Sequence, residues 1–197
     1  MLHLLKNGEK NMTTSKFHIS EEVKKLLDSL EDYLILTKQQ ATFRIIGSFS
    51  LELQGYKRKI STRDIDLIED VENEELASKI SELGNKIGSD IMNLDAFDIP
   101  QPEGMAKRSE TIEYNDRISF IVPCREDAIL LKVAALIDRI LDEDKDADDL
   151  RLLNTTKDDF EKGVQFYRDT GMKEIKGTPF ESDVEDRIAL ARRKLGF

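Results

Sequence analysis

Phe43-Arg44-Ile45-Ile46-Gly47-Ser48 and, after a spacer of 15 residues between Ser48 and the next motif, Asp64-Ile65-Asp66-Leu67-Ile68 together decide how this chain is read. Thr42 to Ile46 is a β-branched and aromatic run that stops at Gly47, which predicts a strand. Ser48 to Leu53 returns to helical spacing and ends at Gly55. Asp64 to Ile68 alternates polar and apolar with period two, a half-buried strand whose two aspartates share one face. A glycine at a strand-to-helix turn lets backbone approach a ligand closely, and a helix start presents N–H groups to a phosphate. The Ser48 hydroxyl is expected to add a donor there. Two carboxylates side by side suit divalent cations that bridge the phosphates of a nucleotide. A Gly-Ser turn alone is commonplace, and a lone D-x-D is more often a solvated edge. Their order, with a helix and the basic loop Lys57-Arg58-Lys59 between them, points to a phosphate-and-metal site.

Upstream, Ser20 is a candidate N-cap, with Glu21 and Glu22 in the first turn and Val23, Leu26, Leu27, Leu30 and Leu34 at helical spacing, so 21–38 is expected to be an amphipathic helix. Downstream, a helix is expected over 74–87, a loop at Pro100, Pro102 and Gly104, and a hairpin of 111–114 with 117–122 around Asn115-Asp116. Helices follow over 126–141, 145–153, 157–169 and 182–195, and one further strand is provisional before the hairpin. This order implies an α+β fold, a small mixed sheet flanked by helices with a helical C-terminal part. Residues 1–19 read as a flexible extension, 20–153 as the main domain and 154–197 as helices packing on it. Gly8-Glu9 can be encoded by a purine run resembling a ribosome-binding site, so Met12 is the expected start of translation and the preceding residues are expected to pack little.

The chain has 197 residues, 39% of them hydrophobic and 36% charged, with 40 acidic and 30 basic side chains and a net charge of −10. That balance argues against general binding to a phosphate backbone, which needs clustered cations, but leaves room for a local basic patch. No uncharged apolar run approaches the roughly 18 residues of a membrane span, and the first residues lack a signal-peptide pattern. A cytoplasmic location is the expectation. A single cysteine, Cys124, excludes an internal disulfide and a cysteine-based zinc site, and a buried structural thiol is its expected role. His3 and His18 lie outside the expected core, so histidine catalysis is not available. There is no Walker A loop and no G-x-G-x-x-G.

The two quoted motifs resemble the signature of the nucleotidyltransferase superfamily with a DNA-polymerase-β-like fold. Arg125-Glu126-Asp127-Ala128-Ile129-Leu130-Leu131-Lys132 and Lys145-Asp146-Ala147-Asp148-Asp149-Leu150 extend the likeness toward the bacterial abortive-infection toxin branch and its uncharacterised relatives. The resemblance covers roughly residues 40–153. It implies a polymerase-β-like sheet and transfer of a nucleoside monophosphate from an NTP, with Mg²⁺ or Mn²⁺ held by Asp64 and Asp66. Gly47 and Ser48 would cradle the β/γ-phosphates, Lys132 would meet the charge of the leaving pyrophosphate, and Asp146 would position Lys132 or the acceptor. The superfamily's third carboxylate has candidates in Asp90, Asp95 and Asp98, with Asp95 preferred. The acceptor class stays open among RNA ends, proteins and small molecules, and a small antitoxin-type protein is a possible partner. The alternative is a catalytically weakened member acting as a binding module in a toxin–antitoxin or phage-defence pair. Two departures stand out. The spacer before Asp64 is slightly long, and Ile60 occupies the place where relatives often carry Arg, with Arg58 and Arg63 as substitutes.

Lys132 can also be read without the family. On a helix it shares a face with Ala128, Ala135, Leu136 and Arg139, so small neighbours let two long cations reach one point, such as a triphosphate. The plainer alternative is a lysine extending its head to water over an apolar stem. Asp146 and Asp149 fall on one helix face, which on plain grounds is an acidic first turn. The run 142–153 superficially resembles a calcium loop but carries Ala147 where glycine is required and Leu153 where glutamate is required.

Overall fold

The computed structural model describes residues 17–68, 71, 73–87, 100–140, 144–170 and 181–197, the last segment's side chains from 184 on. Helix α1 (Glu21–Thr37) starts where Ser20 accepts a hydrogen bond from the Val23 N–H and ends at Lys38 in the left-handed conformation. It buries Val23, Leu26, Leu27, Leu30 and Leu34, the stripe that the spacing predicts. Then come β1 (Ala41–Ile46), α2 (Gly47–Leu53), β2 (Asp66–Leu67) and α3 (Glu74–Ile87). After a one-turn helix α4 (Met105–Arg108) come β3 (Glu110–Glu113), β4 (Ile118–Val122), α5 (Arg125–Asp138), α6 (Lys145–Leu152), α7 (Lys157–Asp169) and α8 (Glu181–Leu195).

The sheet has the order β2-β1-β4-β3. The inner pair β1–β4 is parallel, with Phe43 opposite Phe120, while β2 and β3 run antiparallel at the two edges. This is the expected α+β architecture, a small mixed sheet with a helical C-terminal part. One face carries Phe43, Ile45, Ile65, Leu67, Ile118 and Phe120 into a core shared with α1 and α3. A second core forms among α5, α6, α7 and α8 around Val133, Ile137, Leu150, Phe160 and Val164, and Leu51 of α2 reaches into it. At Gly163 a Cβ would lie 2.5 Å from the Val133 Cβ, so helices α5 and α7 meet backbone to side chain there.

The differences from the sequence reading are local. The regular ladder of β2 is only Asp66–Leu67, shorter than the five-residue alternation, although Ile68 N–H still donates to Arg44 O at 3.1 Å. Helix α5 ends at Asp138, because Arg139 has left helical geometry. Helix α4, read from sequence as loop, forms one turn after Gly104, whose φ of 73° starts it. Cys124 is half-buried rather than buried and its thiol donates to Asp127 Oδ2 at 3.2 Å. Burial, first, pushes that thiol's pKa up, which keeps it protonated and unreactive. The provisional extra strand and the stretch 1–16 lie outside the described residues.

Candidate active site

Gly47 closes β1 with φ +76°, a conformation that side chains with a Cβ rarely adopt. A Cβ placed on it would stand 2.1 Å from Asp66 Oδ2. The absence of a side chain at Gly47 is therefore what lets the turn lie against the aspartate. Ile46 is the ladder partner of Asp66, which sets the two motifs side by side at one end of the sheet. Because Ile65 and Leu67 fill the core under α1 and α3, the period-two pleat turns Asp64 and Asp66 to the other side. There Gly47, Ser48, Asp64, Asp66 and Lys132 line one cavity of about 230 Å³. Gly47→Ala is expected to lower stability by at least about 1–2 kcal/mol, the strain of a left-handed residue with a Cβ, and by more than Gly55→Ala. Gly55 has φ +90° but open space around it, so it shares the strain and not the clash. Thermal melts of the two variants make the comparison, and equal losses would show that the contact with Asp66 is slack.

Behind the cavity lies a buried polar network. Lys132, 6% exposed, sets its ammonium 2.6 Å from Asp149 Oδ2 and 3.0 Å from Asp146 Oδ1, and donates to Ser48 Oγ at 3.1 Å. Arg139 reaches the other oxygen of Asp146 at 2.8 Å. Lys132 of α5 and Arg139 at its C-cap thus converge as their spacing predicts, and the point at which they meet is a carboxylate of α6. The snorkelling alternative for Lys132 does not hold, since its head is turned inward. The reading of the Ser48 hydroxyl as a donor to phosphate also needs correction. It is given to Asp149 Oδ2 at 2.9 Å, so what Ser48 offers the cavity is backbone. Burial, first, pushes the Asp149 carboxyl up, but Lys132 and Arg58 outweigh it and hold it below its ordinary value.

Arg58 answers the departure at Ile60. Its Nε donates to Asp149 Oδ1 at 2.6 Å and its Nη1 to the Ile60 carbonyl at 3.0 Å, while Arg63 is on the surface near Glu22 and Ile60 is 81% exposed. Glu52 is the residue that sequence reasoning passed over. It is fully buried, its Oε1 accepts the Thr62 N–H at 2.8 Å, and Arg58 Nη1 stands at 3.4 Å. Burial raises its pKa against the pull of Thr62 and Arg58, and Oε2 has no hydrogen-bond partner in the described structure. A lone carboxylate inside the apolar run Phe49-Ser50-Leu51-Glu52-Leu53 was the signal that could have revealed it. Asp149 was likewise readable only as part of an acidic turn.

The carboxylate pair supplies hard oxygen donors, and a magnesium ion commonly takes one or two protein carboxylates and completes its shell with phosphate oxygens and water. Asp64 and Asp66, open to a cavity beside a side-chain-free turn, fit that use. No cluster of three or more metal-binding side chains occurs among the described residues. Asp90, Asp95 and Asp98 lie outside them.

A small mixed sheet that brings a Gly-Ser turn against a D-x-D strand, with helices beneath, is the architecture of a nucleotidyltransferase. Residues 19–159 match the family described as "Nucleotidyltransferase of unknown function (DUF6036)", and the chain belongs to that family. The match does not single out an abortive-infection branch. No curated protein and no solved structure matched the chain. No described helix is long and apolar enough to cross a membrane.

Proposed function

We propose that the protein transfers a nucleoside monophosphate from an NTP to an acceptor, with Asp64 and Asp66 holding Mg²⁺ or Mn²⁺. The observation that carries this reading is the meeting of Gly47, Ser48, Asp64, Asp66 and Lys132 on one cavity within a nucleotidyltransferase family member. The backbone of the Gly47-Ser48 turn lies against the β/γ-phosphates. Asp66, beside Gly47, and Asp64 face the α-phosphate. An acceptor oxygen forms a bond to the α-phosphorus, the bond from that phosphorus to the bridging oxygen breaks, and pyrophosphate leaves while the acceptor's proton passes to solvent or a site carboxylate. The bound cation supplies charge neutralisation of the phosphates. Lys132 adds a fixed positive charge at the cavity wall, oriented by Asp146, and Asp95 is the proposed third carboxylate.

A second groove of about 800 Å³, between the basic loop 57–63 and α6, shares Asp64 and Lys145 with the cavity and offers the acceptor a way in. Its chemistry is compatible with an RNA end, a protein or a small molecule. The second reading, a binding module that holds nucleotide without turnover and serves a toxin–antitoxin or phage-defence pair, draws support from the full engagement of Lys132 by two carboxylates. Calorimetry with Mg–NTPs, joined to transfer assays with α-labelled NTPs, tests both. Binding with transfer is expected for the proposed enzyme, and binding without transfer to any offered acceptor would favour the module. No heat with any of the four NTPs would overturn the nucleotide reading.

A further inference from the structure

Two residues of the cavity wall come from α7 and its cap, beyond the family-matched residues 19–159: Phe166 and Thr170. Phe166 is the one aromatic side chain among the described residues that line the cavity. It packs against the cluster of Ile46, Ile68, Met105 and Leu131. Ile46 is paired with Asp66, and Leu131 precedes Lys132. The ring is thereby fixed against the cross-strand partner of Asp66 and against the chain neighbour of Lys132. Ala128 and Ala135 of α5 line the same cavity and leave it free of bulk. An aromatic face beside small residues is a slot for a flat ring, since every nucleobase has a π-face to stack.

Beside the ring, Thr170 and Asp138 both offer acceptors, while the cations Lys132, Arg139 and Lys145 also line the cavity. The Thr170 hydroxyl donates its proton to the Phe166 carbonyl at 2.8 Å, so what it has left for a ligand is oxygen lone pairs. Asp138, the last residue of α5, lines the cavity with a carboxylate, which when ionised only accepts. Arg139, which also lines it, is turned to Asp146. A base edge carrying an exocyclic amine satisfies two acceptors, whereas a keto oxygen in the same place meets lone pairs with lone pairs.

We propose that Phe166, Thr170 and Asp138 form the nucleobase site and that it favours adenine and cytosine, which carry an exocyclic amine at the ring position where guanine and uracil carry a keto oxygen. The proposal rests on the nucleotide reading above and names the part of the substrate that reading leaves open. The test is calorimetry of Mg–ATP, Mg–CTP, Mg–GTP, Mg–UTP and Mg–tripolyphosphate, which carries the phosphates without a base, on the full chain and on Thr170→Val and Phe166→Leu. Leucine keeps the apolar contact with Ile46 and Leu131 and removes the stacking face. Expected are CTP and ATP binding about tenfold tighter than UTP, GTP and tripolyphosphate. Thr170→Val should bring CTP to the level of UTP. Phe166→Leu should weaken ATP and CTP by about five- to tenfold and leave tripolyphosphate unchanged. Tripolyphosphate bound as tightly as every NTP, or NTP affinities indifferent to both substitutions, would overturn the base site while leaving the phosphate site standing. Silence from tripolyphosphate and all NTPs alike would remove the nucleotide reading itself and this proposal with it.

Discussion

Asp66→Asn is expected to cut nucleotidyl transfer by about 10²–10³-fold, on the scale of removing one preorganised electrostatic group from an active site, and Asp64→Asn by a similar factor. Asparagine keeps the size that fits against Gly47, where the Asp66 Oδ2 lies 2.1 Å from the place a Cβ would occupy, so the turn need not move. What disappears is one negative oxygen from a pair facing the cavity. Neither side chain is part of the hydrophobic core, whose neighbouring members are Ile65 and Leu67, so melting should stay close to that of the parent protein. Initial rates of transfer from α-labelled NTPs, measured across a magnesium series, make the check. A variant limited by cation binding recovers part of its rate at high Mg²⁺ or in Mn²⁺. Undiminished transfer by both variants would exclude these aspartates from the chemistry.

Lys132→Ala is expected to destabilise the protein by about 3 kcal/mol, the lower end of the cost of breaking a buried ion pair from one side, or roughly 6–12 °C in melting temperature for a chain of this size. An alanine there keeps the helix but strips the ammonium from Asp146 and Asp149, which are 5% and 1% exposed. Arg139 and Arg58 remain on those carboxylates, which is why the lower end applies. A substitution that leaves the fold untouched, natural to expect of a lysine aimed at a ligand, is not available at this position. The pH dependence carries the signature. With Asp149 held below its ordinary pKa, the unfolded chain binds more protons near pH 4, so the stability it contributes is present above that range and is lost as pH falls through the folded value. Without Lys132, burial is opposed only by Arg58 and the Ser48 hydroxyl. The stability difference between parent and variant should therefore be largest near neutrality and shrink on acidification. Denaturant unfolding at several pH values reads this directly, and a difference that is negligible or constant with pH would show that Lys132 is not coupled to Asp149.

The sheet and its neighbours were legible because their signals are short-range. The run Thr42–Ile46 stops at a glycine that the turn requires, and the alternation at 64–68 puts its apolar members in the core. The stripe of α1 is written at helical spacing over five buried positions. The polar network was legible only in fragments, because its members are separated by up to 101 residues, as between Ser48 and Asp149. Nothing local distinguishes an inward Asp149 from a dipole-stabilised first turn, nor an inward Lys132 from one reaching water. Glu52 was hidden for the opposite reason, since helical spacing alone gives it no partner. Phe166 and Thr170 carry no motif at all. They belong to the site only because α7 packs on α5 through Gly163, a contact between distant parts of the chain.

The long spacer before Asp64 has a mechanical side. The chain leaving α2 is moored twice before it reaches the aspartates, by the Arg58 guanidinium on Asp149 and by the Thr62 N–H on Glu52. Glu52 belongs to α2, the same rigid element that begins at Gly47. The aspartates are thus held at a fixed distance from the turn by the Ile46–Asp66 ladder pair and these side-chain anchors rather than by the count of residues between them. Slack between Gly55, which has open space around it, and Arg58 does not reach the site, whereas slack between Thr62 and Asp64 would pass straight into it. Spacer length in such a chain is free to drift on one side of its moorings and is pinned on the other.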